Sequence, residues 1–207
     1  MFDRTLATNG LIAILRGLRP EEAESIGSAL YAAGIRIIEV PLNSPQPLRS
    51  LEILRRILPE DCLVGAGTVI SAEQVRAVKE AGGQLIVMPH CDVSVLHAAK
   101  DAGLYLTPGV ATPSEAFAAL TAGADALKVF PAEQVGIGAM KAWLAVLPPG
   151  TALLPVGGIT PDNMAPYLRA GAAGFGLGSA LYSPGLPADE AGRRAQAFIQ
   201  ARRAAMA

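Results

Sequence analysis

The chain is poor in the residues that most directly announce a chemistry. Its 207 residues include two cysteines, Cys62 and Cys91, and two histidines, His90 and His97. Neither pair has metal-site spacing, so no metal cofactor is expected, and two free, reduced thiols are expected rather than a disulfide. Only 17% of the residues are charged, the formal net charge is −1, and no basic block or stripe is present. That excludes the electrostatic footprint of a nucleic-acid binder. No apolar run reaches membrane-spanning length without a charge, a glycine or a proline. The opening MFDRTLATNG lacks the basic start and apolar core of a signal peptide, so a cytoplasmic protein is expected.

What is present is a repeat. The apolar share is 51%, and the length suits one compact domain over residues 1–207. Five helix-like segments end in Ala-Gly, at Gly34, Gly82, Gly103, Gly123 and Gly171, and a β-rich apolar run follows each. Glycine just past a helix end is a common cap, because it takes the left-handed conformation without a Cβ penalty. The intervals Gly34 to Gly82 and Gly123 to Gly171 are about twice the others, so each hides one further helix–strand unit. The hidden strands are LVGAGTV and ALLPVGG, and LIAILRG opens the series. SAEQ from Ser71, TPSE from Thr112 and TPDN from Thr160 mark helix starts. Eight apolar strands, each followed by a helix, predict a single-domain α/β (β/α)8 barrel (a TIM barrel). An open doubly wound sheet would call for a glycine-rich phosphate loop after the first strand, and LRGLRPEE is a poor one.

In such barrels the chemistry sits at the C-terminal ends of the strands. The polar residues predicted there are Arg16, Glu39, Asn43, Thr68 and Lys128, with Val156-Gly157-Gly158 and Gly178-Ser179 on the last two strands. Lys128 stands out. Of the four lysines, Lys79, Lys100 and Lys141 fall on amphipathic helices; only Lys128, in ADALKVFP, lies within an apolar strand. Alternation sends Leu127 and Val129 to one face and Lys128 to the other. A lysine buried there is either paired with a carboxylate or stripped of its proton, and the neutral amine is what Schiff-base chemistry requires. Glu39, the lone ionisable residue near the end of IRIIEVPL, fits either reading, as an ion-pair partner or as a general acid/base. VGGITPDN and GLGSAL each run from a strand through glycines into a helix start, and these glycines either make tight turns or present backbone N–H groups to a phosphate, with Arg16 as the candidate counter-charge. Thr68 either binds substrate or caps the next helix. His97 reads as structural and His90 as a residue near the rim.

The segments LIAILRG, EVPLNSP, VGAGTV, LKVFP, VGGITPDN and GLGSALY occur in this order over most of the chain. As a series they closely resemble the class I 2-keto-3-deoxy-6-phosphogluconate/galactonate aldolases. The resemblance implies Lys128 as the Schiff-base lysine and Glu39 as the general acid/base. It makes Arg16 and Thr68 substrate ligands and gives the phosphate to the glycines around Gly158 with Ser179. Gluconate-type members carry an arginine where this chain has Asn43, and a threonine where it has Val156; both departures resemble the galactonate type. The implied partners are a phosphorylated 2-keto-3-deoxy sugar acid and pyruvate, with no cofactor, and the implied assembly is a homotrimer. Two other readings stay open: the gluconate epimer as main substrate, and a phosphosugar isomerase or epimerase using Glu39 as a proton shuttle.

Overall fold

A computed structural model describes residues 2–206. In chain order the elements are α1 (Phe2–Thr8), β1 (Leu11–Ile14), α2 (Pro20–Ala33), β2 (Ile37–Pro41), α3 (Pro47–Ile57), β3 (Leu63–Gly67), α4 (Ala72–Glu80), β4 (Leu85–Val87), α5 (Val93–Asp101), β5 (Tyr105–Thr107) and β6 (Gly109–Val110). They continue with α6 (Pro113–Thr121), β7 (Leu127–Val129), α7 (Ala132–Leu144), β8 (Leu153–Pro155), a 3-10 turn (Pro161–Asn163), α8 (Met164–Arg169), β9 (Phe175–Leu177) and α9 (Ala188–Met206).

Local chemistry sets these boundaries. Ser71 Oγ accepts from the Gln74 N–H at 3.2 Å, while Gln74 Oε1 accepts from the Ile70 N–H at 2.7 Å. Thr112 and Glu115 close the start of α6 in the same reciprocal way. All five Ala-Gly glycines take positive φ, from 69° at Gly103 to 111° at Gly34. The strands pair in parallel as a curled sheet in two parts. One has the order β5-β4-β3-β2-β1-β9 and the other β6-β7-β8. A bridge between Val156 and Gly176 joins β8 to β9.

Three differences from the sequence reading have physical causes. The predicted fifth strand, LYLTPGV, is two strands. Pro108 has no N–H to give to a ladder, so β5 pairs with β4 and β6 with β7. The described strands therefore number nine, not eight. A helix absent from the expectation, α1, precedes β1. Its buried Phe2 and Leu6 pack with Ile12, Ile37, Leu63, Leu85, Ala126 and Leu154 into an apolar floor inside the curl. Finally, GLGSAL starts no helix. The Gly178 carbonyl accepts from Leu181 and Tyr182 N–H groups in a turn, and α9 begins only at Ala188.

The larger core lies between strands and helices, and it shows the alternation plainly. Ile38 and Val40 of β2, and Leu127 and Val129 of β7, point outward into it. Glu39 and Lys128 therefore point inward, above the apolar floor. At the chain ends, the Arg202 guanidinium of α9 reaches the carbonyls of Ala7 and Thr8, both at 3.5 Å.

Candidate active site

Glu39 and Lys128 are the ionisable pair of the interior, at 1% and 6% exposure. β2 brings Glu39 up from the floor residue Ile37, and β7 brings Lys128 up from Ala126. The Glu39 carboxyl extends over Gly67 of β3, where a Cβ would overlap it. They are not a contact ion pair: Glu39 Oε2 has no hydrogen-bond partner, and the Lys128 ammonium position lies 4.6 Å from the Phe130 ring centroid. Each nevertheless feels the other. Burial pushes the Glu39 carboxyl up to about 7, against the pull of Lys128 and then Arg16. Burial also pushes the Lys128 amine below its ordinary value, opposed by Glu39 and assisted by Arg16. Burial thus moves both groups toward the neutral form, the direction required of a nucleophilic amine and of a carboxyl that both gives and takes protons.

Beside Lys128 opens a cavity of about 530 Å³ lined by Arg16, Lys128, Phe130, Val156, Gly157, Gly158, Gly178, Ser179 and Tyr182, among others; Glu39 is not part of this lining. Seven residues chosen from sequence thus come together on one wall. Asn43 joins them indirectly: its side-chain oxygen accepts from Arg16 Nη1 at 2.6 Å. Gly157 and Gly158 both have positive φ, 107° and 64°. Glycines in such conformations make a tight turn, and a turn can present backbone N–H groups to an anion. Glu133, from the first turn of α7, packs its side chain where a Cβ of Gly158 would stand. Asn163 ties the turn down by donating to the Gly158 carbonyl at 2.7 Å.

Thr68 lies apart from the lining. It does not cap α4, because Ser71 does. Its φ of 55° is a costly conformation for a β-branched residue. His90 and His97 are both exposed, one after β4 and one on α5, and neither lines the cavity. Among the described residues, no group of three His, Cys, Asp or Glu side chains could hold a metal ion. A cleft of about 630 Å³ beside Arg4, Thr8, Arg36 and Asp61 is lined by an exposed ion pair of 3.1 Å and none of the interior residues.

The family model described as KDPG and KHG aldolase matches residues 2–193. The chain belongs to the KDPG and KHG aldolase family. It is 47% identical over 191 residues to a probable 2-dehydro-3-deoxy-6-phosphogalactonate aldolase of Rhizobium meliloti (strain 1021), covering 92% of this chain and 90% of that protein. To the 2-dehydro-3-deoxy-6-phosphogalactonate aldolase of Escherichia coli (strain K12) it is 45% identical over 196 residues, covering 95% and 96%. A solved structure titled "Native KDPGal structure" superposes with a TM-score of 0.93 at 45% identity, covering 95% of each chain.

Within this family member, the sequence reading missed Gly67 and Phe130. Phe130 was findable, since it stands two residues after Lys128. Gly67 was not, because its role is the space it leaves for a side chain from another strand.

Proposed function

We propose that this chain is a class I aldolase that cleaves 2-dehydro-3-deoxy-6-phosphogalactonate to pyruvate and D-glyceraldehyde 3-phosphate. One observation carries the reading: the only lysine inside the curl has its amine pushed toward neutrality by burial and faces a carboxyl held near pH 7. Lys128 attacks the C2 ketone, and loss of water yields a protonated Schiff base that serves as electron sink. Glu39 takes the proton of the C4 hydroxyl, the C3–C4 bond breaks, and the aldehyde leaves. The enamine takes a proton at C3, and hydrolysis of the Schiff base releases pyruvate. A cavity of about 530 Å³ suits a six-carbon phosphorylated acid. Gly157, Gly158, Gly178 and Ser179 take the phosphate. Arg16, held by Asn43, takes a charged or hydroxyl group of the substrate, and Thr68, which stands outside the cavity lining, is proposed as a further ligand. Val156, an apolar side chain beside the substrate, favours the galactonate epimer over the gluconate one.

The same reading treats residues 1–207 as one domain and the curled sheet as a single closed barrel of eight strands, with β5 and β6 counted as one. The bridge from Val156 to Gly176 supports closure on one side, and the Lys128 N–H donating to the Pro108 carbonyl at 2.9 Å supports it on the other. The assembly we propose is a homotrimer in the cytoplasm; among the described residues, no helix is long and apolar enough to cross a membrane.

Incubation with pyruvate and borohydride, followed by intact mass and peptide mapping, tests the nucleophile. A single pyruvate-derived adduct on Lys128 is expected. An unmodified Lys128 in folded protein overturns the reading. Steady-state cleavage of the two epimers then tests the substrate, and equal kcat/KM for both removes the epimer assignment while leaving the aldolase.

A further inference from the structure

Among the described residues, five buried side-chain atoms have no hydrogen-bond partner: Asn9 Oδ1, Glu39 Oε2, Ser50 Oγ, Thr107 Oγ1 and Arg202 Nε. Asn9 follows α1, Ser50 is on α3, and Arg202 is on α9, all away from the interior of the curl. Glu39 and Thr107 are inside it. Glu39 has a place in the chemistry above and Thr107 does not. A buried hydroxyl left unpaired loses its hydration without a replacement hydrogen bond, at a cost to the fold. The fold gains nothing visible from one at this position.

The strand register places the hydroxyl. Glu39 pairs with Gly65, Gly65 with Leu85, and Leu85 with Tyr105. Two residues further along each strand, Pro41 pairs with Gly67 and Val87 with Thr107. The Glu39 carboxyl lies over Gly67, so it reaches one inward step above its own backbone, to the level of Thr107. On the other side of Thr107, Lys128 pairs with Gly109 and donates its N–H to the Pro108 carbonyl. Leu106 faces the outer core, so Thr107, at 1% exposure, faces inward between the two ionisable residues.

Resting on the aldolase reading, we propose that Thr107 and Glu39 together hold the oxygen that leaves C2 of the substrate as water when the Schiff base forms, and that returns when it is hydrolysed. Addition of the Lys128 amine forms the N–C2 bond and moves the carbonyl π pair onto oxygen. That oxygen takes up a proton as the nitrogen gives one up. The Glu39 carboxyl then protonates the C2 hydroxyl. The C2–O bond breaks, the nitrogen lone pair forms C=N, and water leaves beside an iminium and a Glu39 carboxylate. The departing water carries two donors and two acceptor sites. Glu39 accepts one hydrogen bond, and the Thr107 hydroxyl, a donor and an acceptor on one rotor, supplies another partner. Both orphaned atoms are satisfied once that oxygen is present.

Pyruvate labelled with ¹⁸O at the keto oxygen loses its label to solvent at each round of Schiff-base formation and hydrolysis. The test compares washout by the wild-type chain with Thr107→Val, which keeps the shape and deletes the hydroxyl, and with Thr107→Ser, which restores it. Lys128→Ala supplies the uncatalysed background. Washout and borohydride-trapped adduct formation are expected to slow about tenfold in Thr107→Val and to return to within about twofold in Thr107→Ser, on the scale of one hydrogen bond. The melting temperature of Thr107→Val is expected to be no lower than wild type, because an unpaired hydroxyl has been removed. Wild-type washout by Thr107→Val overturns the proposal, and so does a loss that Thr107→Ser does not restore. If the wild-type chain neither exchanges the label nor traps pyruvate, the aldolase reading fails first and takes this inference with it.

Discussion

In β2 the inward residue Ile37 packs with Phe2 and Leu6 into an apolar floor, and the next inward residue, Glu39, carries a carboxyl held near neutrality. The run into β7 makes the same change from Ala126 to Lys128, and β5 makes it from Tyr105 to Thr107. One step along the same strands separates a packed hydrocarbon layer from the layer that carries the proposed chemistry. The lower layer is part of the chemistry of the upper one. A packed apolar floor lowers the local dielectric, and burial is the largest cause of the shift at both Glu39 and Lys128. Helix α1 closes that floor from below, so a segment outside the cavity helps to set the proton affinity of Glu39 and Lys128.

Changes in the upper layer are expected to have the largest effects on activity and the smallest on folding. Lys128→Met should bring turnover and the pyruvate adduct below detection in a coupled assay and by mass, while raising the melting temperature, because the desolvated amine is gone. Retained turnover would dissolve the distinction between the layers. Glu39→Gln should lower kcat by about 10²–10⁴-fold, the usual range for loss of a general acid/base, while a slowly formed borohydride adduct on Lys128 persists. Changes in the floor should do the reverse. Leu63→Ala is expected to cost about 2–5 kcal/mol in urea unfolding, with kcat close to wild type at temperatures where the variant is folded.

The pH dependence of stability sharpens the comparison. The folded-state value of Glu39 is raised, to about 7, so the folded chain holds this proton more tightly than the unfolded one. That contribution is fully present below the ordinary glutamate value and is lost as pH rises through 7. Melting curves should therefore show wild type losing ground to Glu39→Gln between pH 5 and pH 8. A constant difference between the two would mean that the carboxyl is not held up by burial. The smallest effect is expected at the rim, where Arg16 and Asn43 are exposed. Asn43→Ala removes the partner of Arg16 and should raise KM about three- to tenfold with kcat little changed, the scale of one hydrogen bond.

Much of this was legible in the sequence because it depends on local pattern. The Ala-Gly caps, the Ser71 and Thr112 boxes and the alternation around Lys128 are each set by a few consecutive residues, and each is found where it was expected. The residues that escaped depend on distant neighbours. Gly67 matters because Glu39 lies over it, Thr107 because the register sets it between β2 and β7, and α1 because its apolar face meets the open end of the curl. Pro108 was in plain view within a predicted strand. Its missing N–H outweighs the apolar run around it, and the strand divides there.

The turn that follows β8 carries a further consequence. Glu133 fills the space that a Cβ at Gly158 would need, and the backbone at Gly158 has a φ of 64°. Positions 133 and 158 are therefore coupled in one direction: a side chain at 158 needs the Glu133 side chain to move aside, and even then meets a left-handed backbone that favours glycine.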